Sequence, residues 1–126
     1  MWECDCGILP VGDDVVGIVT DRDMSIALAT RNERASRLRA GAVASKTVLT
    51  CEPEEDVHAA LATMKEHRVR RLPVVGFGGT VLGIISMNDL ALAADPDGPV
   101  RNEDVVEALK TICAHHHYPA PQVVAA

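Results

Sequence analysis

Apolar and polar positions follow the same order twice along this chain. Short runs rich in Val, Ile and Leu lie at residues 8–11, 17–20, 72–75 and 81–85. Glycine-containing stretches separate the two runs of each pair, which is typical of β-hairpins. A helical segment follows each pair, and the second of these, Met87–Ala94, ends at a turn rich in Pro, Gly and Asp. The pattern therefore predicts two copies of a strand, hairpin, strand and helix unit.

The two copies also match residue by residue. Ile8-Leu9-Pro10-Val11 matches Arg71-Leu72-Pro73-Val74, and Gly17–Met24 matches Gly83–Leu90. The offset is 63 residues at the prolines and 66 at the glycines, so the longer turn Gly76–Gly79 absorbs the difference. That turn lacks the Lys-Ser/Thr pair and the following helix of a phosphate-binding P-loop. An internal repeat of one supersecondary unit is the strongest signal in the sequence.

The second copy contains an additional strand and helix. Thr47–Thr50 predicts a strand, and Pro53 among the acidic residues of Glu52–Asp56 predicts the first turn of a helix. Apolar residues then recur at i, i+3, i+4 and i+7, and a basic turn, His67-Arg68, predicts the helix end. The members of this apolar stripe are Val57, Ala60, Leu61 and Met64. The complete second unit is expected to span about residues 45–95.

The first copy, residues 1–44, lacks this opening strand and helix, because only seven residues precede Ile8. We therefore expect Ile8, Val11 and Val19 to lack part of their packing. Residues 96–126 predict a further helix with Asn102 as its cap, followed by a tail. The apolar stripe of that helix needs a partner surface, and its members are Val105, Val106, Leu109, Ile112 and Cys113. A homodimer is expected, in which this helix covers exposed apolar surface.

Composition removes several classes of function. The 126 residues are 48% apolar and only 2% aromatic, which leaves almost no platform for stacking nucleic-acid bases. The net charge of −6 also disfavours nucleic acid. The sequence has no apolar run of membrane-spanning length and no secretory signal pattern, so a cytoplasmic protein with free thiols is expected. Cys4, Cys6 and the run His115–His117 lack the spacing of a zinc site, so no metal site is predicted.

Thr20-x-x-Asp23 and Ser86-x-x-Asp89 each lie where a strand meets a helix. One interpretation is a capping box, in which the hydroxyl and the carboxylate satisfy backbone N–H groups. The other is an adenosine site, in which a helix N-terminus holds phosphate and the carboxylate accepts hydrogen bonds from a ribose diol. Both can hold at once.

With these junctions, the two segments 8–23 and 69–90 resemble the CBS-domain family, named after cystathionine β-synthase. The resemblance covers about residues 4–95 and implies an α+β fold in which two hairpin-helix repeats are related by a pseudo-twofold axis. CBS domains occur in tandem as a Bateman module. Members bind AMP, ADP, ATP, S-adenosylmethionine or related adenosyl compounds, and are usually dimeric sensors without catalytic activity.

The resemblance implies two adenosyl sites, each built from both motifs. The first would combine ribose and phosphate contacts with an adenine wall from the 44–49 stretch, and its residues are Thr20, Arg22, Asp23, Ala44, Leu49, Val69, Arg70 and Arg71. The second would combine Ser86 and Asp89 with Cys6, Gly7 and Ile8. Its adenine wall belongs to the missing first strand, and Met87-Asn88 replace Asp21-Arg22. One usable site is therefore expected.

The predicted function is regulation through an adenosyl ligand, with AMP or ATP favoured, no required cofactor and an unidentified effector protein as a further partner. The alternative is a ligand-free dimerisation module whose two junctions are only helix caps. An enzyme is not expected, because the histidines fall on helices or their ends with no nucleophile placed beside them.

Overall fold

The computed structural model describes residues 7–12 and 17–114. Two antiparallel hairpins form the framework. The first pairs β1 (Ile8–Val11) with β2 (Gly17–Thr20), and the second pairs β3 (Arg71–Val75) with β4 (Val81–Ser86). A helix follows each hairpin directly: α1 (Asp21–Thr30) after β2, and α4 (Met87–Ala93) after β4. The expected α+β fold of two hairpin-helix repeats is confirmed.

The repeat is visible in equivalent hydrogen bonds at the start of each hairpin. The N–H of Asp21, the first residue of α1, donates to the Gly7 carbonyl at 3.3 Å. The N–H of Met87, the first residue of α4, donates to the Arg70 carbonyl at 2.9 Å. Gly7 in the first unit therefore takes the place of Arg70 in the second.

Four further elements connect and cover the hairpins. A 3₁₀ turn (Ala35–Arg37) and the short helix α2 (Ala40–Val43) lie between the units. Helix α3 (Val57–His67) precedes the second hairpin, and α5 (Asn102–Cys113) ends the described chain. The core belongs to the second unit and unites α3, β3, α4 and α5. Its buried residues are Cys51, Ala60, Leu61, Met64, Leu72, Met87, Leu90, Val100, Val105 and Ala108.

The predicted strand Thr47–Thr50 is wrong, because strand pairing here is reduced to a single parallel bridge between Cys51 and Val74. The Cys51 N–H donates to the Pro73 carbonyl at 3.0 Å, and the Val75 N–H donates to the Cys51 carbonyl at 2.9 Å. To extend this parallel ladder to the residues before Cys51, Pro73 would have to donate a backbone N–H, and proline has none. The chain before Cys51 is therefore not held against β3.

Two predicted helix starts are also wrong. Glu52–Glu55 forms a turn, and α3 begins at Val57, with the Asp56 carboxylate accepting the His58 N–H at 2.8 Å. Helix α5 is capped at Arg101 rather than Asn102, because the Asp104 carboxylate accepts the Arg101 N–H at 3.0 Å.

The predicted stripe of α5 is correct in part. Val105 is buried, and Leu109 and Ile112 are half-buried, whereas Val106 and Cys113 are exposed. Ala108, which the prediction missed, is fully buried where α5 packs on α3 and α4. The helix therefore covers its own second unit rather than the first.

The expectation that Ile8 and Val19 lack packing is wrong as well, since both are buried. Ile8 lies beside Val69 of the second unit, and Val19 lies beside Leu38 and Val43 of the linker, which runs from the end of α1 to the start of α3. Ser45 of this linker bonds to Ile18 of β2 through two backbone hydrogen bonds of 2.8 and 3.2 Å. The linker thus takes over part of the covering that an opening strand would supply.

Candidate functional site

A cleft of about 240 Å³ lies between the two units. The first hairpin and the start of α1 form one wall, and residues from the linker and from the approach to β3 form the other. The lining residues are Ile8, Ile18, Thr20, Asp23, Ser45, Thr47, Leu49, Val69, Arg70 and Arg71. Aliphatic side chains make up much of the surface, with one carboxylate and two guanidinium groups among them.

A left-handed turn brings the basic residues to this cleft. Helix α3 ends at His67, and Arg68 adopts φ 54° and ψ 40°, a conformation that few non-glycine residues take. The Val69 N–H then donates back to the Met64 carbonyl at 3.1 Å. After this reversal, Val69, Arg70 and Arg71 line the cleft, and β3 begins at Arg71.

The structure brings together six of the residues predicted for the first site: Thr20, Asp23, Leu49, Val69, Arg70 and Arg71. Ser45 and Thr47, in the predicted 44–49 stretch, also line it. Ile8, predicted for the second site, lies here instead, and Ile18 was missed. The alternation of β2 could have identified Ile18, because residues i and i+2 of a strand share a face with each other and hence with Thr20.

The other four predicted residues do not line the cleft. Arg22 is exposed on α1, and Ala44 packs instead against Gly17, where an added Cβ would lie 2.8 Å from the Ala44 Cβ. Ser86 and Asp89 lie at the start of α4. Cys6, predicted to border their site, lies outside the described residues.

Thr20 and Asp23 form a complete capping box at the start of α1. The Asp23 Oδ2 atom accepts the Thr20 N–H at 3.0 Å and the Thr20 hydroxyl at 2.6 Å. The Asp23 N–H in turn donates to Thr20 Oγ1 at 3.1 Å. Within the described residues the other carboxylate oxygen, Oδ1, accepts no hydrogen bond. The box therefore fixes the carboxylate in the cleft and leaves it one acceptor oxygen for a ligand.

Ser86 and Asp89 form a capping box with the same three hydrogen bonds at the start of α4. Asp89 Oδ2 accepts the Ser86 N–H at 2.8 Å and its hydroxyl at 2.6 Å, and the Asp89 N–H donates to Ser86 Oγ at 3.2 Å. The difference between the two junctions is their surroundings, because only Thr20 and Asp23 face the cleft described above.

Arg70 and Arg71 supply the positive charge of the cleft. Arg70 is exposed and Arg71 is half-buried, and neither forms an ion pair with a carboxylate in the described part of the chain. The Arg71 guanidinium lies beside Gly7, since both terminal nitrogens are 3.7 Å from the position of a Cβ there. An alanine Cβ at this position would be in ordinary van der Waals contact with the guanidinium.

Among the residues that the structure describes, Cys51 and Asp104 have shifted pKa values, and both lie away from the cleft. Burial, reinforced by the charge of Glu55, raises the pKa of the Cys51 thiol. The hydrogen bond from the Arg101 N–H, with a smaller contribution from the His58 charge, lowers the pKa of Asp104. Neither residue lines the cleft.

Within residues 7–12 and 17–114, no group of three or more His, Cys, Asp or Glu side chains is arranged to hold a metal ion. No helix in the same ranges has the length and hydropathy needed to cross a membrane. Cys4 and His115–His117 lie outside those ranges.

This chain is similar in sequence and in structure to proteins with CBS domains. The sequence profile of the CBS domain matches residues 40–95. The CBS domain-containing protein YhcV of Bacillus subtilis is 30% identical over 114 residues, which cover 89% of this chain and 76% of that protein. In the crystal structure of Hypoxic Response Protein I with two coordinated zinc ions, the protein chain is 30% identical in sequence to this one. The two structures superpose with a TM-score of 0.66 over 75% of this chain and 78% of that chain.

Other matches share the fold or only part of a longer protein. A CBS domain protein from Pyrobaculum aerophilum complexed with AMP superposes with a TM-score of 0.63 over 86% of this chain and 79% of that one, at 23% identity. The chain spans 40% of an uncharacterized Methanopyrus kandleri protein and 17% of the homoserine O-acetyltransferase of Methanosphaera stadtmanae.

Proposed function

Because this chain belongs to the CBS-domain family, we propose that it is a regulatory module that binds an adenosyl ligand in the cleft between its two units. The observation that carries this proposal is the composition of the cleft, where a fixed carboxylate, two arginines and aliphatic walls converge. The module itself catalyses no reaction, and its occupancy is read by an effector protein. We propose a homodimer in the cytoplasm as the acting form.

Each part of an adenosine phosphate finds a matching group. The Asp23 carboxylate accepts hydrogen bonds from a ribose diol, because an ionised carboxylate is an acceptor only. The adenine ring packs between aliphatic side chains such as Ile18, Leu49 and Val69. The guanidinium groups of Arg70 and Arg71 suit phosphate oxygens, which they bind through paired N–H donors.

The size of the cleft favours a small ligand. Its volume of about 240 Å³ lies just below the ~300 Å³ at which typical ligand pockets begin. A purine and its ribose therefore fill it, and phosphate groups extend toward solvent and the exposed Arg70. AMP and ATP are the preferred ligands on this basis, and the AMP held by the Pyrobaculum protein supports the same class.

One observation favours the alternative of a ligand-free dimerisation module. The Thr20–Asp23 box has the same three hydrogen bonds as the Ser86–Asp89 box, which does not face the cleft. The Asp23 carboxylate therefore has a sufficient structural role without any ligand.

The same pair of boxes provides the test. AMP, ATP and S-adenosylmethionine are each titrated calorimetrically into the wild type, Asp23→Ala and Asp89→Ala. Each variant loses one helix cap, at a cost of about 1 kcal/mol in stability, so titrations are run where both are folded. Asp23→Ala is expected to lose at least tenfold in affinity, because hydrogen bonds to a charged group are each worth roughly 1.5–3 kcal/mol. Asp89→Ala is expected to bind as the wild type does. Absence of binding to all three proteins would favour the dimerisation module.

A further inference from the structure

A second cleft, of about 200 Å³, lies on the first unit, away from Arg70 and Arg71. Its lining is apolar except at Arg39, and consists of Val19, Met24, Leu28, Ala35, Leu38, Arg39, Ala40 and Val43. Met24 and Leu28, which line this cleft, are 38% and 49% exposed. The second unit shows what such a surface requires: Leu90, which occupies in α4 the place of Met24 in α1, is 3% exposed beneath α3 and α5.

Arginines border this apolar cleft: Arg39 lines it, and Arg34 and Arg37 are the chain neighbours of the lining residues Ala35 and Leu38. Arg31 is engaged, because its guanidinium donates to the Ala42 carbonyl at 2.6 Å. Arg34, Arg37 and Arg39 are exposed, and none is within ion-pair distance of a carboxylate in the described part of the chain. The surface is thus suited to an apolar side chain flanked by acidic residues.

The tip of the second hairpin has this complementary composition. Phe77 is fully exposed, at 106% of its reference area, and Leu82 beside it is 62% exposed. Glu52 and Glu54 lie against the same hairpin tip and line a groove with Phe77 and Leu82. Gly78 has a φ of 79°, which glycine adopts readily, and it allows the tight turn that exposes the Phe77 ring.

We propose that two copies of this chain associate by inserting Phe77 of one copy into the arginine-rimmed apolar cleft of the other. Glu52 and Glu54 then lie against Arg37 and Arg39 of the second copy. Each copy carries both surfaces, and we place the two copies about a two-fold axis, so that the contact forms twice and closes the pair instead of propagating into a filament. The inference deepens the proposed homodimer by assigning its contact surface, and it does not depend on ligand binding.

The first part of the test is sedimentation velocity over a range of protein concentrations. Phe77→Ala is expected to weaken self-association at least tenfold, since a buried aromatic anchor dominates the energy of such contacts. Leu92→Ala is the matched control, because Leu92 is also strongly exposed, at 88%, but lies on α4. This control is expected to associate as the wild type does, and both substitutions leave the core untouched.

The second part is a charge exchange. Arg37→Glu/Arg39→Glu and Glu52→Arg/Glu54→Arg are each expected to be monomeric, because each double variant sets like charges against one another. An equimolar mixture is expected to recover the association, since both contacts of the pair are then complementary. A wild type that stays monomeric overturns the inference, as does a dimer that is unchanged by Phe77→Ala or a mixture that fails to associate. A dimer unaffected by all these changes would leave the proposed homodimer intact and refute only this contact.

Discussion

Leu9 and Leu72 occupy the same place in the two repeats but face very different surroundings. Leu9 pairs with Val19 in the first hairpin, and Leu72 pairs with Ile85 in the second. Leu72 is 0% exposed within the core, whereas Leu9 is 42% exposed. Replacing each by alanine therefore measures how unevenly the two units contribute to stability.

The expected costs follow from burial. Truncation of a fully buried leucine loses its transfer free energy and leaves a cavity, so Leu72→Ala should destabilise by about 2–5 kcal/mol. The Leu9 side chain is only partly removed from water, and its truncation leaves no enclosed cavity. Leu9→Ala should therefore lower the free energy of unfolding by about 1 kcal/mol. Native domains are stable by roughly 5–15 kcal/mol, which means that Leu72→Ala removes a large share of the total.

Urea unfolding followed by circular dichroism separates the two variants. The free energy of unfolding of small proteins falls by about 1–3 kcal/mol per molar urea. Leu72→Ala should therefore lower the urea concentration at the unfolding midpoint by roughly 1–2 M or more, and Leu9→Ala should lower it by about 0.5 M. Equal shifts at low protein concentration would refute the reasoning that the core belongs to the second unit. A cost for Leu9→Ala that rises with protein concentration would show that association buries this side chain.

Two other predictions concern backbone packing and pH. Gly17→Ala should destabilise the protein by about 1–3 kcal/mol, because the new Cβ would lie 2.8 Å from the Ala44 Cβ. The equivalent glycine of the second repeat, Gly83, is the control, because a Cβ added there would have no atom within 4 Å. Thermal unfolding of both alanine variants tests the difference. Asp104→Asn should lower stability at neutral pH, because the lowered pKa of this carboxylate means that its stabilisation is present above its unfolded pKa and is lost as the pH falls through its folded pKa. Urea unfolding as a function of pH should therefore show the wild type and Asp104→Asn converging in acid, and a constant difference would contradict the assignment.

The repeat made most of the fold predictable. Both hairpins, both following helices and the buried stripe of α3 follow from local patterns that occur twice, so each copy supports the interpretation of the other. The errors fall where tertiary contacts decide. Whether Thr47–Thr50 pairs as a strand depends on the missing N–H of Pro73, which lies 23 residues beyond Thr50 in the sequence. The error at Ala108 is of another kind, because Val105, Ala108, Leu109 and Ile112 follow the i, i+3, i+4, i+7 spacing of one helix face, and Val106 lies off that face.

The site was less predictable than the fold. Its polar members, Thr20, Asp23, Arg70 and Arg71, were selected through a family resemblance and do line one cleft. Ile8 was assigned to the other site, because sequence equivalence between repeats does not state how the two units lie against each other. Arg22 was assigned through the resemblance as a further cation for phosphate, but it is exposed on α1 and does not line the cleft, because adjacent residues on a helix point in different directions.

The two capping boxes show how one local motif acquires two different capacities. Their hydrogen bonds are equivalent, so the short-range chemistry of Thr20–Asp23 and Ser86–Asp89 cannot account for any functional difference. The difference comes from the facing segment. The turn at Arg68 brings Arg70 and Arg71 to the cleft that contains Asp23, whereas the equivalent place in the first unit, residues 7–8, supplies a glycine and an isoleucine. Under the proposed function, a ligand that needs both an acceptor for its ribose and a cation for its phosphate would find both at the first junction, whereas the described residues at the second junction supply the cap without a facing arginine pair.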